Sequence, residues 1–289
     1  MTVEGPGAAA RTAMFERRPL DGIPVVDAHA HGGPYSRFFI PDNGTAGMMR
    51  VMERVGVDVA LVSSHLALEL DVEGGNAETA AMVEESGGRL RGLIVANPHI
   101  DPERTLATWL DDERFVGVKL HPELHEYPVT GSRYEPVWAA AAARGFPVLV
   151  HSWAGSEYND IPMFGTVAER HPDATILLGH SGARRSFLPD VAGLACRHPN
   201  LILETCGSYM TGSWLRYFVE QVGAEQVVFG SDFPFIDLRY AIGRALFAEL
   251  PDDDLALVLG GTISRLVRRV RPDDPAFAEL ATGSAAIRS

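Results

Sequence analysis

Eight short, almost uninterrupted apolar runs recur along this chain, each followed by a stretch with helical spacing. They occupy residues 24–29, 57–63, 89–96, 115–120, 146–151, 174–180, 201–205 and 226–232. Strands that are apolar on both faces belong to a parallel sheet covered on both sides or closed on itself. Between them, Met48, Met49, Met52 and Val55 recur at three- and four-residue steps, as an amphipathic helix against a sheet requires. Residues 77–85, 134–143, 164–170, 191–197 and 214–222 repeat that pattern, and Gly56, Gly87-Gly88, Gly145 and Gly223 supply stop signals. Successive strand ends lie some 24 to 33 residues apart. Eight such units predict an α/β fold of the (β/α)₈ TIM-barrel type, which needs about 250 residues. No G-x-G-x-x-G follows a strand, which argues against an open dinucleotide-binding sheet. In a chain of 289 residues this leaves a Gly-, Ala- and Arg-rich arm over 1–22, expected to be loose, and one barrel over 23–289. Residues 238–270 are expected to form the eighth barrel helix and then one or two packing helices.

Charge narrows the partners. Lysine and arginine total 25 against 38 acidic residues, a net charge of −13 that repels nucleic-acid phosphates and anionic lipid. Neither nucleic acid nor a membrane is an expected partner; a small-molecule substrate is, and a homo-oligomer is compatible with this reading. Two cysteines, Cys196 and Cys206, make no disulfide framework in a chain this long and read as buried or half-buried free thiols. The N-terminus lacks an apolar signal core, and no run reaches the roughly 20 residues of a membrane span. A cytoplasmic protein is expected.

The polar residues fall where a barrel enzyme keeps its active site, at the C-terminal ends of the strands. His29 and His31 end the first run, Lys119 and His121 the fourth, His151 the fifth, His180 the sixth and Asp232 the eighth. Residues two apart on a strand project from one face, so His29 and His31 can turn two imidazoles toward one cation. Lys119 and His121 share that spacing. Imidazole and carboxylate donors suit Zn²⁺, with Mn²⁺ or Fe²⁺ as alternatives, and the lack of cysteine ligands argues against a closed structural zinc. A metal in an open site lowers the pKa of bound water from 15.7 to about 7, and Asp232 can then take the proton and pass it on. Arg184, just after the sixth run, and Arg239, after the eighth, are candidates to bind a substrate carboxylate over the barrel mouth. Tyr35, Phe38, Phe39 and Trp153 are candidates for an apolar pocket. His65, His99 and His125 have no partner at metal spacing, and His171 and His198 read as helix C-terminal residues. Asp27 is placed to orient a ligand histidine by hydrogen bond.

The segments Val26-Asp27-Ala28-His29-Ala30-His31, Gly117-Val118-Lys119-Leu120-His121-Pro122, Val150-His151, Gly179-His180-Ser181-Gly182 and Gly230-Ser231-Asp232-Phe233-Pro234 together resemble the amidohydrolase superfamily, and within it the amidohydrolase-related (type 2) branch. The resemblance runs from residue 24 to about 270. It implies that His29, His31, His151 and Asp232 hold a divalent metal and that His180 meets the attacking water or the substrate. It also implies either of two roles for Lys119: a carboxylated bridge between two metals, or a substrate-carboxylate ligand beside one. One metal is expected, with Lys119, His121 and Arg184 on the substrate. Where relatives end in Gly-Asn-Ala-x-Arg-Leu, this chain has Gly261-Thr262-Ile263-Ser264-Arg265-Leu266, so the contact made by the asparagine is in question.

Three functions follow. The first is hydrolysis of an amide, ester or lactone bond by metal-activated water, with Asp232 and His180 catalytic. The second is non-oxidative decarboxylation of an unsaturated or aromatic acid, since the branch includes decarboxylases of aminocarboxymuconate semialdehyde and of resorcylate. The third is a barrel that binds metal or ligand without turnover, against which the proton-shuttling aspartate argues. Compact loops tilt the expectation toward hydrolysis.

Overall fold

The computed structural model describes residues 5–278 and 280. Eight parallel strands pair in chain order: β1 (Val26–Gly32), β2 (Val59–Ser64), β3 (Leu90–Val95), β4 (Phe115–Leu120), β5 (Val148–His151), β6 (Ile176–Gly179), β7 (Leu201–Glu204) and β8 (Val227–Val228). Seven parallel ladders join neighbours. The chain beyond β8 closes the ring: Phe229 accepts from Ala28 N at 3.0 Å, Asp232 N donates to His29 at 2.8 Å, and Phe233 accepts from His31 N at 2.7 Å. Inside the ring, Val26, Ala28, Val59, Leu61, Leu93, Val116, Leu149, Leu177 and Val228 pack together; a larger core fills the space between ring and helices. The single (β/α)₈ barrel expected from the runs is therefore the observed architecture.

Two departures are instructive. Residues Pro6–Phe15 are a helix, not a loose arm, and it packs on Leu238–Leu246 and Asp252–Ala256 through buried Ala10 and Ala13. A helix that buries only small residues shows no hydrophobic stripe to read. Residues 1–4 of the arm, and 279 and 281–289 of the barrel segment, lie outside the described residues. At the other end, Leu238–Leu246, Asp252–Ala256 and Thr262–Val270 are helical as expected, with a wider π-helical turn over Leu257–Gly261. Thr262, which stands in place of the familial asparagine, is buried, and its hydroxyl donates to Ala224 O at 3.1 Å. A local contact is made there after all.

Among the described residues no helix is long and apolar enough to cross a membrane. Cys206 is buried and free, whereas Cys196 is exposed, contrary to the expectation for both thiols. His171 and His198 do terminate helices, as C-caps of Ile161–Arg170 and Leu188–Arg197.

Candidate active site

The barrel geometry brings the strand-end side chains to one mouth. His29 and His31, on β1, lie with ring centroids 5.1 Å apart, and His29 sits 5.1 Å from His180. His151 packs edge-on against His180 at 4.6 Å and stacks on His121 at 4.0 Å. Asp232 Oδ1 lies 3.3 Å from His31 Nε2 and 3.7 Å from His29 Nε2. Lys119 is buried, with Nζ 2.7 Å from His29 Nε2. One donor atom each from His29, His180, Cys206 and Asp232 falls within 4.8 Å of the other three. His31 reaches this group through Asp232, and His151 through its ring contact with His180.

Reaching this arrangement strains the backbone. His180, Ser181, Ala183 and Asp232 all have positive φ, between 43° and 63°, which non-glycine residues adopt at a cost of about 1–3 kcal/mol each. Gly230 has a different task. A Cβ there would sit 2.1 Å from Glu204 Oε1 and 2.9 Å from His29 Cβ, so glycine alone lets this strand approach the site.

Glu204, which ends β7, was not among the candidates from sequence, yet it organises the floor. Its buried carboxylate accepts from His29 Nδ1 at 3.0 Å, His180 N at 3.0 Å, Cys206 N at 2.5 Å and Cys206 Sγ at 2.8 Å. Burial pushes the Glu204 carboxyl up, and the donors from Cys206 and His180 oppose that shift. Burial, followed by the positive charge of Lys119, holds the His29 imidazole well below its ordinary pKa. The ring is thus neutral, and the His29–Glu204 contact is a hydrogen bond to a carboxylate, not an ion pair. Giving its Nδ1 proton to Glu204 leaves His29 with a lone pair on Nε2.

That lone pair faces the Asp232 carboxylate and the Lys119 ammonium. An acceptor turned toward an acceptor is repulsive unless a cation lies near both, and the ammonium already meets that need at His29. Burial also lowers the pKa of His31, His121, His151 and His180, the last to about 4. Neutral imidazoles beside a half-buried carboxylate are the donors that a divalent cation takes. The residues present fit a metal.

Cys206 needs a separate reading. Its Sγ lies 3.2 Å from His29 Nδ1 and 3.1 Å from His180 Nδ1, while Asp232 faces the Nε2 side of His29. Mutual proximity groups the thiol with the donors, but its contacts place it behind His29. The thiol holds the Nδ1 edges of two histidines and leaves their Nε2 edges for the site.

Other candidates fare unequally. His121 Nδ1 accepts from Leu124 N at 3.2 Å as a helix cap, so only its Nε2 remains for a ligand. Arg184 is exposed at the rim, and no side-chain bond joins it to the strand-end cluster among the described residues. Arg239 does not reach over the mouth: it pairs with Asp237 and lines a cavity on the outer flank. Among the described residues Asp27 makes no hydrogen bond to an imidazole. It accepts from the backbone N of His29 at 3.1 Å and of Ser231 at 2.9 Å, and from the Ser231 hydroxyl, tying the first strand end to the last. His65 is buried, donates from Nδ1 to Gly33 O at 2.8 Å and stacks on His31 at 5.2 Å. Over it Tyr35, Phe38 and Phe235 form an aromatic wall, with centroids 4.9–6.0 Å apart. Phe39 is outside it, 87% exposed, and Trp153 lies parallel to His151 at 6.1 Å.

A first consequence concerns Glu204. Glu204→Gln keeps size but removes the charge that receives four donors, and partners of metal-bound histidines are worth about 10–100-fold in metal affinity. Titration against a competing chelator should show a loss of that size, with the fold retained by circular dichroism. Undiminished affinity would contradict the orienting role.

An amidohydrolase family model matches residues 26–269. Comparison with curated proteins by sequence finds no match. Among solved structures, a 5-carboxyvanillate decarboxylase from Sphingomonas paucimobilis superposes with a TM-score of 0.66 at 18% identity, covering 85% of this chain and 99% of the other. A candidate 2-pyrone-4,6-dicarboxylic acid hydrolase from Pseudomonas putida gives 0.68 at 18% identity, with coverages of 86% and 98%. A manganese-bound dihydroxybenzoic acid decarboxylase from a Polaromonas species gives 0.65 at 16% identity, with coverages of 88% and 99%. The solved structures show a shared fold, and the family match, spanning most of the chain and every strand-end motif, shows that this protein belongs to the amidohydrolase family.

Proposed function

We propose that this protein is a metal-dependent enzyme that hydrolyses an ester, lactone or amide bond in a small, flat, carboxylated molecule. The observation that carries this reading is the Asp232 carboxylate set 3.3 and 3.7 Å from the Nε2 atoms of two neutral histidines on one strand. His29, His31, His151 and Asp232 would hold the ion, zinc being the first choice and manganese or iron the alternatives. A cation there supplies electrophilic polarisation and lowers the pKa of water.

The chain's own residues do the rest. Asp232 accepts a proton, its pKa raised by burial toward the range where it can also give one back. His180, held through Nδ1 by Cys206, presents Nε2 to the reacting group. Lys119 contributes positive charge from the floor; burial brings its pKa to about 8, so the ammonium still predominates at neutral pH. Together with His121, and Arg184 at the rim, it can receive substrate carboxylates. Tyr35, Phe38 and Phe235 exclude water above His31. Phe38 and Phe235 are 56% and 37% exposed, an apolar surface suited to covering a planar substrate.

Non-oxidative decarboxylation is the second reading, favoured by the number of decarboxylases among the structural neighbours. Compact loops do not decide against it, because this chain covers 99% of one such enzyme. Protein purified without chelator should be screened against lactones, amides and carboxylated aromatics in ¹⁸O-labelled water. Label in the organic product supports hydrolysis; CO₂ release with an unlabelled organic product supports decarboxylation. Metal-loaded protein that turns over neither class would refute both.

Lys119 bears on the metal count. Its nitrogen lies 2.7 Å from His29 Nε2, and in the one-metal reading native mass spectrometry should show one ion per chain and no added carboxyl group. Two ions with a modified Lys119 would overturn the one-metal assignment.

A further inference from the structure

Away from the barrel mouth, a cavity of about 500 Å³ opens on the outer flank, where the N-terminal segment meets the first and eighth barrel helices. Arg17, Arg18, Arg54 and Arg239 make up most of its lining, and no acidic residue lines it. In a chain with 25 basic residues and a net charge of −13, four guanidinium groups around one cavity are a marked local reversal of sign. Two carboxylates at the rim answer part of that charge: Glu16 pairs with Arg18 and Asp237 with Arg239. Arg17 and Arg54 form no ion pair among the described residues, leaving two positive charges unanswered.

The backbone supports the same point independently. The helix Pro6–Phe15 ends in a double turn, with Arg17 N donating to Met14 O at 3.1 Å and Arg18 N to Ala13 O at 2.9 Å. That motif places one residue in the left-handed region, where glycine is by far the cheapest choice. Here it is Arg17, at φ 58°. An arginine standing in a strained position where glycine fits better points to a task for its side chain.

We propose that this cavity is a binding site, separate from the active site, for a small dianion carrying a phosphate group. Guanidinium forks match phosphate oxygens in pairs, and two unanswered charges match a phosphate dianion. The volume accommodates a phosphorylated metabolite as well as free phosphate. A nucleic-acid strand is disfavoured by the chain's net charge of −13.

The test uses the intact protein and an Arg17→Gly/Arg54→Ala variant. Glycine suits the left-handed position, so this variant should fold at least as well at residue 17. Calorimetric titration and thermal melts are run with inorganic phosphate, ribose 5-phosphate and succinate at matched ionic strength. Saturable binding of a phosphate ligand by wild type, at least tenfold weaker in the variant, is expected. Tighter binding of the sugar phosphate would identify a metabolite as the natural source, and tighter binding of inorganic phosphate the free ion. Equal behaviour of wild type and variant, or succinate binding as tightly as either phosphate, would overturn the proposal. A rise in melting temperature that never saturates and appears in both proteins is a general salt effect and would overturn it equally.

Discussion

Replacing both His29 and His31 with alanine should take bound transition metal from one ion per chain to background. These imidazoles share one face of β1 and turn their Nε2 atoms toward the same Asp232 oxygen. Without them, Asp232 keeps His151 as its only partner from the proposed ligand set, and one neutral nitrogen with one carboxylate does not make a transition-metal site. The barrel should survive, because its closure at this point uses main-chain groups. Ala28 N, Asp232 N and His31 N make the ring-closing bonds, and Asp27 binds Ser231 and the His29 amide, whatever side chain stands at 29 or 31. Elemental analysis and circular dichroism on one preparation separate the outcomes. Unchanged metal in a folded double variant would refute the assigned site.

The same strand shows why much of the site could be read in advance and part of it could not. A buried parallel strand must be apolar along its length, so ionisable residues at its end stand out against the run. His29, His31, Lys119, His151, His180 and Asp232 were all visible in this way. Glu204 gave the same signal, an apolar Leu-Ile-Leu ending in a carboxylate. Cys206 stands two residues on and bonds it locally, but the contact with His29 that gives Glu204 its role spans 175 positions and forms only when the ring closes. Cys206 reads from sequence only as a buried or half-buried free thiol, for a related reason. Its contact with His29 spans 177 positions, and no local pattern encodes that distance.

Asp27 illustrates another limit. Its position on the inward face was legible, but an aspartate two residues before a backbone amide can bond that amide as readily as a ring. The local bond won, and Glu204 took the histidine. Arg239, placed after β8, is from sequence only a candidate for the mouth. Asp237, two residues earlier, captures it and caps the same helix, so the side chain follows the outer flank. The N-terminal helix escaped notice because Ala10 and Ala13 bury surface without a large apolar residue.

Asp232→Asn carries the second large effect. The substitution keeps the side chain's size and one oxygen donor, so metal should be retained in part, with His29, His31 and His151 unchanged. What is lost is the base. An amide cannot accept a proton near neutral pH, and general acid–base participation is worth about 10²–10⁴-fold in rate. The strained backbone at Asp232 tolerates the change, since asparagine adopts the left-handed region more readily than most residues. A fall in kcat of that size with metal still bound would therefore report chemistry and not a collapsed loop. His180→Asn makes a sharper comparison. His180 bonds Cys206 through Nδ1 and is placed to meet substrate, so its loss should lower turnover while metal content stays at the wild-type level. Metal content and kcat must be measured on the same preparations, with whichever substrate the screen identifies. If Asp232→Asn binds metal fully and turns over at the wild-type rate, Asp232 is not the proton acceptor. The reaction would then need another base; among the buried strand-end carboxylates described, that leaves Glu204, already committed to four donors.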